Sequence, residues 1–295
     1  MTNLVASEAE QRILELLAIP PKPEVLLQVT AEAKSPEPDI NHIAAMIAGD
    51  VSIAGGLLQV VNSPIFRRPQ EIRSLRQASH LLGFRRIYAI VRTIALRNAL
   101  SQCPRIESFW RTGDYVAYAA MQTAQLIKRP DLEDDAYLLG LFHLVGAPAL
   151  NSVFGAGYEK ILNHANATGW SLVIDEERLS FDTHHARIGA LIVQRWHTPP
   201  SVTEAVEGQY RHDTFRANVF TQADTADLLA ILKVALRASS RSFPQMMFFG
   251  EWDRLSESLA DYLGLEGHSA LETMSEQVAA AVESSLKTAK EATEE

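Results

Sequence analysis

One cysteine, Cys103, stands in 295 residues, so neither a disulfide framework nor a cysteine-rich zinc or iron–sulfur site can be built. The opening residues, 1–11, have neither a basic stretch nor an apolar one and do not read as a signal peptide. Long hydrophobic runs are also missing. The stretch 136–145 is interrupted by Gly140 and His143, and no run approaches the roughly 20 apolar residues of a membrane-spanning helix. The expectation is a cytoplasmic protein without membrane insertion. Alternating runs of β-branched residues are scarce, and no internal repeat stands out. There is no Gly-x-x-x-x-Gly-Lys phosphate loop and no Gly-x-Ser-x-Gly elbow.

What is present is apolar residue at helical spacing. Hydrophobic residues make up 47% of the chain, enough for a substantial core. The fold class expected is all-α. Ile13, Leu14, Leu16 and Leu17 share a broad apolar face, which Pro20, Pro21 and Pro23 bring to an end. Asp39, Asp50 and Ser74 are placed to cap helices, and Gly83 to close one. Ile87, Ile90, Val91 and Ile94 continue in the next. In the second half, helices are expected at 109–128, from Asp131 through Val145, and at 157–168, 182–197, 201–210, 219–238, 253–264 and 269–291.

The net charge is −9, a poor starting point for nonspecific binding to nucleic acid. Its distribution is uneven. Residues 67–97 hold eight arginines and one acid, whereas residues 251–295 hold eleven acids and three bases. Arg67, Arg68, Arg73, Arg76, Arg85 and Arg86 are therefore a candidate anion-binding patch. The competing reading is a solvated face whose side-chain stems cover apolar surface. The acidic C-terminal helix is a candidate mask for the patch. A helix-turn-helix reading of 77–94 founders on its second helix, which is too apolar to face a DNA groove.

Four stretches resemble the HDOD family in order and spacing. They are Ile19-Pro20-Pro21-Lys22-Pro23-Glu24-Val25; Ile47 to Ala54 with Leu57-Leu58-Gln59-Val60-Val61-Asn62-Ser63; Ile72 to Ala78 with Leu81-Leu82-Gly83; and Phe109-Trp110-Arg111, Leu138 to His143, and Phe181 to Gly189. The resemblance spans roughly residues 12–240. It implies an N-terminal helical bundle (12–105) packed on a degenerate HD-type helical domain (106–240), followed here by an acidic helical extension (241–295). It also implies bacterial signal transduction without demonstrated catalysis.

HD phosphohydrolases hold metal through a histidine, an adjacent His-Asp pair and a later aspartate. Such ions polarise phosphate oxygens and lower the pKa of bound water. The resemblance puts Thr112 at the first histidine, His143-Leu144 at the pair, and Asp224, or Asp227 one turn on, at the last. His185 and His212 match further histidines of extended sites. His143, His185, His212 and Asp224 are thus a candidate vestigial metal or ligand site, although Leu144 cannot ligate. A histidine on an apolar helix is more often a hydrogen-bonded core residue. The expectation is a non-enzymatic regulator with a protein partner, no cofactor, and room for a nucleotide or phosphate ligand. Two readings stay open beside it: a residual metal-dependent phosphohydrolase on a nucleotide or cyclic dinucleotide, and a DNA-binding regulator.

Overall fold

The structure, a computed structural model, describes residues 4–17, 23–33, 35–62, 72–103, 106–211, 215, 219–243 and 251–291. Among these residues it is helical throughout, with no strand. In chain order the helices are α1 (Glu8–Leu16), α2 (Glu24–Ala33), α3 (Ile40–Ala48), α4 (Val51–Val61), α5 (Leu75–Ala99) and α6 (Ile106–Leu126). There follow α7 (Glu133–Phe142), α8 (Gly146–Phe154), α9 (Ala156–Thr168), α10 (Ile174–Phe181) and α11 (His185–Arg195). The last four are α12 (Pro200–Gly208), α13 (Thr225–Ser239), α14 (Glu251–Tyr262) and α15 (Gly267–Glu291).

The described residues fall into two compact units. One lies within Met1–Ile19 and Gln102–Ala281, the other within Pro20–Ser101 and Val282–Glu295. In the second unit, α5 packs against α2, α3 and α4. The capping residues act as their chemistry predicts. Asp39 accepts from Asn41 N, Asp50 from Ser52 N and Ile53 N, and Ser74 from Gln77 N. Gly83 takes φ 70° and ψ 174°, which breaks α5 into two helical pieces where the sequence places a glycine stop. Asn62 ends α4 and joins Ile72 by two hydrogen bonds, its amide donating to Ile72 O (2.7 Å) and its oxygen accepting from Ile72 N (2.8 Å).

The larger unit is built on α6, which packs against α7 and α13, and on α11, which packs against α8 and α12. Two glycines set the closest approaches. A Cβ on Gly140 would lie 2.6 Å from Ala117 Cα, and one on Gly146 would lie 2.0 Å from His185 O. Both distances are prohibitive, so α7 meets α6, and α8 meets α11, backbone to backbone. His143 sits between these two glycines. The N-terminal helix joins this unit through Glu10, which completes a capping box with Ser7 and also pairs with Arg187 of α11 (3.1 Å).

Several boundaries differ from the expectation. Asp131 does not cap α7. It lies in a 3-10 turn, Pro130–Leu132, and binds Arg129 instead. The helix expected through Val145 ends at Phe142, and α8 starts afresh at Gly146. The helix expected from residue 219 starts at Thr225. α14 and most of α15 cluster with α6–α13 rather than standing apart as an extension, because Trp252, Leu255, Leu259, Leu271 and Val278 are buried. Two acids of α15 also pair within that unit: Glu272 binds Arg237, and Glu276 binds Arg241. One stretch among the described residues, Pro130–Phe154, is long and apolar enough to cross a membrane, contrary to the expectation that none is, and 78% of its most apolar window is buried inside the molecule.

Candidate functional site

A cavity of about 240 Å³ opens beside His143, between the start of α6, the α7–α8 turn, α9 and Trp170. Aromatic rings form much of its wall: Phe109, Trp110 and Trp170. Trp110 packs edge-on to Phe142 and Phe109 lies 6.3 Å from Trp170, so the wall is held from behind. Thr112 and Leu144 also line it. The positions where the resemblance lacks metal ligands therefore border this space.

His143 is 3% exposed and follows the last residue of α7. Its Nδ1 lies 2.7 Å from Gly140 O. A carbonyl oxygen only accepts, so Nδ1 carries the proton and Nε2 presents a bare lone pair. That Nε2 is buried and has no hydrogen-bond partner. Burial pulls the ring's pKa down to about 4, the bond to Gly140 O opposes this, and the charges of Lys233 and His185 add to it. The ring is thus neutral near pH 7. Its backbone is fixed as well, since Gln209 donates to His143 O at 2.7 Å.

His185 is treated differently. It is fully buried, and both of its ring nitrogens have partners. Nδ1 donates to Glu177 Oε2 (2.7 Å), and Nε2 lies 2.9 Å from the Tyr210 hydroxyl. Tyr158 donates to the other Glu177 oxygen. Burial would raise the Glu177 carboxyl, yet the His185 charge and these hydrogen bonds hold it below its ordinary value. Burial pushes both tyrosines well above 10, reinforced by the Glu177 charge at Tyr158 and by the Glu251 and then the Glu177 charge at Tyr210. Behind Tyr210 lies a buried ion pair, Lys233 to Glu251 at 2.5 Å, with the ammonium 5.3 Å from the Tyr210 ring. Trp170 links the two regions, since it lines the cavity and packs edge-on to His185 at 4.7 Å.

The donor set does not fit a divalent metal. Thr112 Oγ1 donates to Ser108 O on its own helix (3.0 Å). Asp224 and Asp227 both bind the Arg129 guanidinium, together with Asp131, and Asp227 also accepts from Tyr262. Asp224 is therefore already engaged by a guanidinium. Arg129 collects the aspartates, and they in turn raise its pKa further. His212 lies outside the described residues. Among the described residues no group of three or more His, Cys, Asp or Glu side chains is placed to hold a metal ion. A buried ammonium close enough to depress His143 further opposes a cation there.

Glu177, Tyr158, Tyr210, Lys233 and Glu251 were not singled out from sequence. Lys233 did leave a signal, as a lone charge inside the apolar run Leu228 to Leu236. Glu177 left little, because an acid in the first turn of a helix is explained by the helix dipole alone.

The arginines of the island that are described differ in exposure. Arg73 and Arg76 are exposed and Arg86 is half-buried, but Arg92 is 3% exposed and lies over the Tyr88 ring. Arg67, Arg68 and the Arg85 side chain lie outside the described residues. Ile87, Ile90, Val91 and Ile94 are buried, as their pattern predicts.

The described residues are all-helical, and the cavity beside His143 has no carboxylate in its lining. The HDOD domain family matches residues 19–212, and the chain belongs to that family. An uncharacterized protein of Treponema pallidum (strain Nichols) is 26% identical over 207 residues, which cover 70% of this chain; the chain spans about two fifths (39%) of that relative's length. The fold is similar to a Shewanella amazonensis SB2B protein provisionally named a phosphohydrolase (TM-score 0.69, 18% identity, 96% of this chain and 98% of that one). It is also similar to a Marinobacter aquaeolei VT8 protein provisionally named for signal transduction (0.70, 19%, 97% and 62%). An HDOD domain protein of unknown function from Geobacter sulfurreducens scores 0.63 at 16% identity, over 95% and 98% of the two chains.

Proposed function

We propose that this chain is a non-catalytic signal-transduction module of the cytoplasm, acting through protein–protein contact, in which the former metal site serves as a ligand pocket. The observation that carries this reading is the state of the candidate ligands. Thr112 and Leu144 replace two of them, Arg129 binds the later aspartates, and His143 borders a cavity. Metal-assisted hydrolysis needs a metal-bound water, and among the described residues no group of three or more His, Cys, Asp or Glu side chains is placed to hold the ion. The provisional signal-transduction name of the Marinobacter protein points the same way.

Metal content measured by mass spectrometry, after dialysis against manganese, iron and zinc, tests the reading. Protein free of stoichiometric metal, and inert toward nucleotides and cyclic dinucleotides, is the expected result. Stoichiometric metal that disappears in His143→Ala would overturn it and restore a phosphohydrolase.

A further inference from the structure

The charge and shape of the cavity narrow what it can hold. Apolar side chains make much of its wall: Phe109, Trp110 and Trp170, with Leu141, Leu144 and Leu162. His143 Nε2 is buried away from any occupant, so exposed side chains decide the charge of what binds. Among the described residues of the lining, Arg111 is the one charged at neutral pH, and none is an acid. Arg111 is exposed, and among the described residues no acid pairs with it and draws it elsewhere. Asn166, also exposed, adds an amide that can donate. A cationic occupant would find no counter-charge here, and a phosphate dianion would meet a single cation. One guanidinium matches one carboxylate, through two parallel N–H···O bonds. The three aromatic rings favour a flat apolar body. The volume, about 240 Å³, lies just below the usual range for drug-sized ligands and suits a single ring system.

We propose that this cavity binds a small aromatic carboxylate, with its ring among Phe109, Trp110 and Trp170 and its carboxylate on the Arg111 guanidinium. The proposal rests on the reading given above, in which the former metal site is a metal-free ligand pocket. Burial of the ring supplies most of the affinity. An ion pair at an exposed position contributes modestly, so Arg111 acts mainly on selection. It separates an acid from the neutral amide of the same shape.

Calorimetric titration of the full chain with benzoate, nicotinate and indole-3-carboxylate tests this. The three matching carboxamides keep the ring and remove the charge. Acetate keeps the charge and removes the ring, and inorganic phosphate tests a bare anion. The expected result is one-to-one binding of at least one acid with a change in tryptophan emission, at least about threefold tighter than its amide, with acetate and phosphate unbound. Arg111→Gln should remove the difference between acid and amide. Should that variant fail to fold, the acid–amide comparison on the unaltered protein still decides. An amide bound as tightly as its acid, a difference that survives in Arg111→Gln, binding of acetate or phosphate as strong as that of the acids, or no acid bound at millimolar concentration overturns the proposal. Metal content read on the same sample separates the two failures. Stoichiometric metal removes the metal-free pocket reading itself, whereas metal-free protein that ignores all three acids removes only the ligand assignment.

Discussion

His143 and His185 are two buried histidines of one helical unit, and they differ in how their second nitrogen is met. His185 is closed on both sides, by Glu177 and Tyr210. His143 is met on one side, by its own helix, while its other nitrogen is buried without a hydrogen-bond partner. The closed histidine belongs to a network that fastens α10 to α11 and to the segment after α12. The unmatched one keeps an unspent hydrogen bond. A folded protein tolerates few such groups, because each leaves a desolvation cost uncompensated. The contrast separates a matched histidine from an unmatched one better than residue type or burial does, since both are histidine and both are buried.

Three changes break or sharpen that contrast. Glu177→Ala should have the largest effect. It strands His185 and Tyr158 in a dry interior, and a loss of about 3–5 kcal/mol in chemical denaturation is expected. A loss below about 1 kcal/mol would mean the network is not a fastening. Next is acid. Folded His143 takes a proton only near pH 4, whereas an unfolded histidine does so near 6.5. Between those values the unfolded chain binds the extra proton. Stability that is complete above pH 6.5 therefore falls as pH drops toward 4, by about 3 kcal/mol at most from this group. His184, held near 4 chiefly by burial, adds to the same decline. Denaturation curves on His143→Gln should show a shallower decline; an unchanged slope would contradict the neutral ring. Smallest is Asp224→Ala. Asp224 is 45% exposed and is one of three carboxylates on Arg129, so a cost of under about 1 kcal/mol and no change in metal content are expected.

Much of the helical layout was legible because caps and periodicity are local. Asp39, Asp50, Ser74 and Gly83 announce α3, α4, α5 and the break within α5 through their own chemistry. The four tryptophans are buried, as large amphipathic anchors should be. The site was legible only in outline. His143 and His185 could be named, as could the loss of ligands at Thr112 and Leu144. What the string of residues did not carry was pairing at long range. Arg129 meets Asp224 across 95 positions, Gln209 meets His143 across 66, and Lys233 meets Glu251 across 18. Each partner is an ordinary polar residue in its own stretch, and only the packing of α6, α7 and α13 makes it particular.

The central claim is that His143 is a neutral imidazole with an unmatched Nε2 and no metal. Nitrogen-15 NMR of the histidine rings, from pH 7 to pH 4 and with and without zinc, reads that state directly. The account predicts one ring, lost in His143→Gln, that stays in the Nδ1–H tautomer and neutral well below pH 6.5, with an Nε2 resonance indifferent to zinc. A zinc-dependent shift at that nitrogen, or protonation near pH 6.5, would contradict it.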